Sequence, residues 1–176
     1  FVPIVSSAKA MQIVLKYWKN KYDYVPDAVV VEGPKAGGHL GFKPEDIDKP
    51  EFQLEEIIPQ VVEAVKPLEE AAGKKIAVIA AGGVFTGADI YKFLELGANG
   101  VQMATRFVAT HECDAADNFK QMYVNASEED LMIIKSPVGY PGRAVRNSFL
   151  EEVEAGNKIP YECPYQCLCS FDFVHS

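Results

Sequence analysis

The sequence predicts an α/β fold built on a parallel sheet, and three observations predict it. Apolar, β-branched runs alternate with stretches of helical apolar spacing. The runs lack the strict polar alternation of a sheet with one wet face. Three of them close in glycines or small polar residues, at the strand ends where parallel α/β folds place their ligands.

Phe1–Ser7 (FVPIVSS) reads as a short buried strand ending in two serines. Ala8–Lys21 sets Met11, Val14, Leu15 and Trp18 on one helical face. Asp27–Glu32 (DAVVVE) is an uninterrupted apolar strand of the kind covered on both faces. A long loop runs from Gly33 to about Pro50, a length that points to function more than to connection. The second helix is predicted over roughly Phe52–Ala72, with Ile57, Ile58, Val61, Val65 and Leu68 on its stripe and Gly73 ending it. Lys75–Ala81 (KIAVIAA) is the third strand and stops at Gly82-Gly83. Thr86 caps the next helix, Asp89 completes a capping-box pattern, and Leu94 and Leu96 lead to Gly97 at the C-terminal position. Gly100–Val108 (GVQMATRFV) is predicted as the fourth strand and Asp114–Val124 as the helix after it.

Beyond about Asn125 the alternation breaks. Glu128–Ile134 fits strand or helix, Ser136–Gly142 reads as a Pro/Gly loop, Arg143–Ala155 as a helix, and the tail from Lys158 as irregular. The expected organisation is therefore an α/β unit over 1–125 and a partial helical or irregular extension over 126–176.

Composition narrows the class of function. A chain of 176 residues with 48% hydrophobic content can bury one respectable core. Its 25 Asp+Glu against 17 Lys+Arg, net −8, speak against a nucleic-acid surface and against binding anionic membranes. No apolar run approaches the ~18 residues of a membrane span, and no signal-peptide pattern opens the chain. Phe1 is not an initiator, and the chain begins directly in a strand-like run, as a fragment or cleaved product would. Cys163, Cys167 and Cys169 crowd together, with Cys113 apart, but without the C-x2-C pairing of zinc sites. No metal is expected. Free thiols fit a reducing compartment, so the expected location is cytoplasmic.

Three strand ends carry unusual chemistry. The second runs through Glu32-Gly33 into Gly37-Gly38-His39, the third ends in Gly82-Gly83, and the fourth ends around Gln102-Met103-Ala104-Thr105-Arg106. Glycine pairs at strand ends let backbone amides approach a phosphate; they also make tight turns. Two such sites one βα unit apart favour the phosphate reading. His39 stands behind two glycines at the expected ligand rim, where core packing is scarce, and an imidazole there can exchange a proton near neutral pH. His111 and His175 have no comparable setting. Arg106 fits an anion contact or a buried ion pair, and Glu32 fits a ligand contact or a support for the glycine loop.

Taken together, Val31-Glu32-Gly33 through Ala36-Gly37-Gly38-His39, Ala80-Ala81-Gly82-Gly83, and Gly97-Ala98-Asn99-Gly100-Val101-Gln102-Met103-Ala104-Thr105-Arg106-Phe107 resemble the nitronate monooxygenase family. That family was formerly called 2-nitropropane dioxygenase and is related to the FMN-dependent enoyl-ACP reductase II. The likeness runs in order and at the family's spacing from Phe1 to about Val153. Ser136-Pro137-Val138-Gly139-Tyr140-Pro141-Gly142-Arg143-Ala144 is similar to the family's segment beyond the barrel.

The resemblance implies an FMN-binding TIM (β/α)8 barrel, of which this chain carries strands five to eight and a small C-terminal helical extension. The amino-terminal half, which in the family adds flavin contacts including an asparagine, is not in the sequence. The chain is thus expected to be the carboxyl-terminal half of an enzyme, and its open sheet edges are expected to self-associate or to pair with the missing half. By the same resemblance Gly37, Gly38, Gly82, Gly83, Gln102, Met103, Ala104 and Thr105 contact FMN. The phosphate lies against the backbone near Gly83 and the last strand's end. Glu32 stands where some relatives carry a flavin-contacting glutamine, and Ala104 where many have glycine. His39 matches the histidine of substrate binding and proton abstraction.

Three functional expectations follow from the resemblance. The first is FMN-dependent oxidation of small alkyl nitronates with O2. The second is reduction of an enoyl thioester with NAD(P)H; the long Leu40–Pro50 loop and the SPVGYPGRA segment look more like the monooxygenase branch. The third is a truncated, non-catalytic piece that binds no flavin alone.

Overall fold

A computed structural model describes residues 1–136 and 139–158. Pro137, Val138 and the tail that holds Cys163, Cys167 and Cys169 lie outside the described residues. The chain divides into two compact units, Phe1–Ala36 with Gly41–Phe107, and Gly37–Leu40 with the described residues from Val108 onward. That division falls after Phe107, whereas the boundary read from the sequence lies at Asn125.

In the first unit, β1 (Ile4–Val5), α1 (Ala8–Tyr22) and β2 (Ala28–Glu32) open the chain. After β3 (Gly38–His39), which belongs to the second unit, come α2 (Leu54–Ala72), β4 (Ala77–Ala81), α3 (Gly87–Glu95), β5 (Gly100–Gln102) and the start of α4 (Thr105–Val108). The strands form one parallel sheet in the order β1-β2-β4-β5. Register aligns Val5, Val31, Ala80 and Val101 in one row. The first three of these, with Val29 and Val78, form the buried side of the sheet. Met11 and Leu15 of α1, Ile57, Ile58, Val61 and Val65 of α2, and Phe93 of α3 are buried with them, which is the helical periodicity read from the sequence put to use. β2 is covered on both faces as expected, since Val29, Val30 and Val31 are all buried. β1 is not: Ile4, in the row with Val30 and Ile79, is 61% exposed.

Local signals explain the helix ends. Ser7 Oγ accepts the Ala10 N–H at the start of α1, and Gly73 ends α2 in the left-handed region at φ 62°. The capping box at α3 is formed: Thr86 Oγ1 accepts the Asp89 N–H at 3.2 Å, and Asp89 Oδ2 accepts the Thr86 N–H at 2.8 Å. The fourth strand, predicted over Gly100–Val108, is shorter than expected. It pairs only with β4, from Ile79 to Ala81, and β4 then turns away at Gly82-Gly83. Without a ladder partner past Gln102, the chain coils into α4 over Thr105–Val108, with Phe107 N–H bonded to Ala104 O.

The second unit is an antiparallel sheet in the order β3-β7-β6, with β6 at Leu131–Lys135 and β7 at Pro141–Val145, flanked in sequence by α5 (Asp117–Asn125) and α6 (Ser148–Glu154). Among the described residues beyond 125, the helical or irregular expectation is corrected: the ambiguous Glu128–Ile134 stretch is a 3-10 turn followed by β6. Of the helix predicted over Arg143–Ala155, the segment Arg143–Val145 is strand. β7 is paired on both sides, to the distant Gly38-His39 and to the neighbouring Leu131–Lys135, and this pairing outweighs the local preference. The helix starts only where Asn147 Oδ1 accepts the Leu150 N–H. Among the described residues no helix is long and apolar enough to cross a membrane.

Candidate functional site

The carboxyl ends of β2, β4 and β5 bring several of the expected residues together in the first unit. Glu32, Ala81 and Gln102 are register partners, so they form one row across the sheet's rim. Ala81 is buried, Glu32 half-buried and Gln102 exposed. Burial pushes the Glu32 carboxyl above the usual glutamate range, and no hydrogen bond or ion pair joins its side chain among the described residues. Beyond the row, Met103 is half-buried, and Ala104 and Thr105 are exposed. Among the described residues Arg106 makes no ion pair: its guanidinium donates to Phe85 O at 3.1 Å and lies over the Phe85 ring.

The loop leaving β2 folds tightly against the turn leaving β4. Gly33 donates its N–H to Ala81 O at 2.9 Å, and a Cβ on Gly33 would meet Leu54 Cβ at 2.8 Å. Gly82 and Gly83 have φ of 91° and 78°. A Cβ on Gly82 would lie 3.0 Å from Ala36 N, and one on Gly83 3.0 Å from Lys35 Cβ. These two glycines are thus required by the turn and by the return of the 33–36 loop.

In the second unit, β3 presents the other glycine pair and the histidine. Gly37, Gly38 and His39 are exposed. Gly38 has φ 78°, whereas Gly37 has an ordinary φ, and no described atom lies within 4 Å of a Cβ built on either. Gly37 therefore has no local reason to be glycine. His39 pairs with Gly142 across the ladder. Its Nε2 lies 2.9 Å from Ser136 Oγ, and its ring centroid lies 6.4 Å from that of Tyr140 at 54°. Ser136 is 7% exposed and closes β6, where its N–H donates to Tyr140 O at 3.0 Å.

Ser136 and Tyr140 were not singled out by sequence reasoning. Ser136 lies 97 residues from its histidine, and a serine before a proline carries only a turn signal. The one available hint was its place at the head of the SPVGYPGRA segment. Chemically, the described residues offer backbone amides at two glycine pairs, a half-buried carboxyl and an oriented imidazole. The face of Gly37 is open, with no described atom within 4 Å of a Cβ built there. Within the first unit, the Gly82-Gly83 backbone and the Glu32 carboxyl are polar groups of the kind a flavin mononucleotide takes.

Comparison with known proteins identifies the family. The family model described as Nitronate monooxygenase matches residues 1–169. A probable nitronate monooxygenase of Staphylococcus aureus is 35% identical over 132 residues, covering 72% of this chain and 34% of that protein. Among solved structures, FabK from Thermotoga maritima superposes with a TM-score of 0.67 at 30% identity, covering 94% of this chain and 44% of FabK. Nitroalkane oxidase from Streptomyces ansochromogenes gives 0.65 at 29%, covering 86% and 40%. The chain spans about a third of the length of the curated relative and less than half of each solved one. With the match extending over nearly its whole length, this chain belongs to the nitronate monooxygenase family.

Proposed function

We propose that this chain is the carboxyl-terminal half of an FMN-binding (β/α)8 barrel whose whole protein oxidises alkyl nitronates with O2 in the cytoplasm. The parallel strands in the order β1-β2-β4-β5, each of the first three followed by a helix, support the half-barrel reading. So does the greater length of the relatives. The observation that carries the catalytic reading is His39, held on a short strand by Ser136 and standing directly after Gly37-Gly38.

In this reading the backbone around Gly82-Gly83 and the segment Gln102–Thr105 hold the FMN phosphate, and Gly37 and Gly38 let the ring approach. Glu32 and Gln102 offer polar contacts at the rim. Bound FMN would supply the electron acceptor that none of these side chains can be. His39 takes the α-proton of a nitroalkane or, once protonated, holds the nitronate anion. Oxygen uptake by the whole protein with an alkyl nitronate, without added nicotinamide, tests the proposal. Absence of uptake in flavin-loaded protein would sink it.

The likeness to FabK favours a second reading, reduction of an enoyl thioester with NAD(P)H at the same site. Anaerobic bleaching of the flavin by NAD(P)H, followed by thioester reduction, selects it.

A further inference from the structure

Resting on the reading of His39 as the proton-transfer group, we infer that Ser136 is its positioning residue, accepting the Nε2–H so that Nδ1 is the nitrogen that meets the substrate. Ser136 Oγ is 2.9 Å from Nε2. The serine is itself buried, and its backbone is tied at both ends of the β6–β7 turn: Ser136 N–H donates to Tyr140 O, and Gly139 N–H, with φ 87° at Gly139, donates to Ser136 O. The imidazole is fixed in turn by the β3–β7 ladder on which it stands. One ring nitrogen is thus engaged on the protein side, while no described residue bonds Nδ1.

The direction of the bond follows from the chemistry it must survive. If Ser136 donated to Nε2, the neutral ring would carry its proton on Nδ1 and could accept none there. With Ser136 accepting, Nδ1 holds the lone pair. When the substrate C–H breaks, its proton forms the Nδ1–H bond and the electron pair moves into the nitro group as nitronate. The Nε2–H···Oγ bond persists through this step and becomes charge-assisted as the ring turns cationic. No hydroxyl rotation is needed. The Tyr140 ring, on the same turn, lies with its centroid 6.4 Å from that of the imidazole at 54°.

Long-range 15N–1H NMR on the 15N-histidine-labelled protein reads this directly, with His39 identified by its loss in His39→Asn. The neutral ring is expected as the Nε2–H tautomer, becoming a mixture in Ser136→Ala and recovering in Ser136→Thr. Kinetically, Ser136→Ala should lower kcat for a nitroalkane by roughly tenfold or more with little change in KM, and Ser136→Thr should restore most of it. An Nδ1–H tautomer in the unmodified protein, or a tautomer indifferent to Ser136→Ala, overturns the inference, and the first outcome does not depend on the folding of a Ser136 variant. A Ser136-dependent Nε2–H tautomer in a protein that never turns over nitroalkane or nitronate supports the positioning role and counts against the proposed function instead.

Discussion

The two glycine pairs look alike in sequence and differ in what makes them glycine. Gly82 and Gly83 sit at positive φ with Ala36 and Lys35 packed where their side chains would be. Their identity is explained by the turn alone. Gly38 has the positive φ without the crowding, and Gly37 has neither. Gly37 is thus a glycine that its local structure does not require, and under the proposed function it is the one assigned to the ligand. The composition "Gly-Gly at a strand end" therefore covers two physical cases, and only packing separates them.

The contrast breaks most sharply at Gly82. Gly82→Ala forces an L-residue to φ 91° and sets a methyl 3.0 Å from the Ala36 backbone N. We expect a loss of about 3 kcal/mol, combining the left-handed cost with overpacking, measured by denaturant unfolding. A loss below about 1 kcal/mol would mean that the turn is not what fixes this glycine.

A smaller effect is expected at Glu32, which ends the strand leading into the Gly33–His39 loop. Burial raises its pKa, so the folded state penalises the ionised form. Its contribution to stability is full below the ordinary value of 4.5 and declines as pH rises through the raised one. Without flavin, Glu32→Gln should unfold at a slightly higher temperature than the parent at pH 7, by less than about 1 kcal/mol. The advantage should vanish below pH 4.5. A parent more stable than the variant at pH 7 would show that Glu32 has a stabilising partner.

Much of the first unit was legible because its determinants are local. The DAVVVE and KIAVIAA runs, the α2 stripe and the Thr86–Asp89 capping box each lie within one window of sequence, and each formed. The end of β5 was not legible, because what stops it is the turning away of β4 some twenty residues earlier. The second unit was least legible. β7 falls across the expected Pro/Gly loop and the start of the predicted helix, and its pairing to Gly38-His39 joins segments about a hundred residues apart. His39 could be singled out from its place behind two glycines, whereas Ser136 could not, since nothing near it in the chain announces a histidine.

Gly37→Ala, studied by FMN titration and denaturant unfolding of the whole protein, tests most directly the claim that the Gly37 face belongs to a ligand. The expected result is stability within about 0.5 kcal/mol of the parent, together with FMN affinity weakened roughly tenfold or more, about 1.4 kcal/mol. Unchanged FMN affinity in a stably folded Gly37→Ala protein would contradict it.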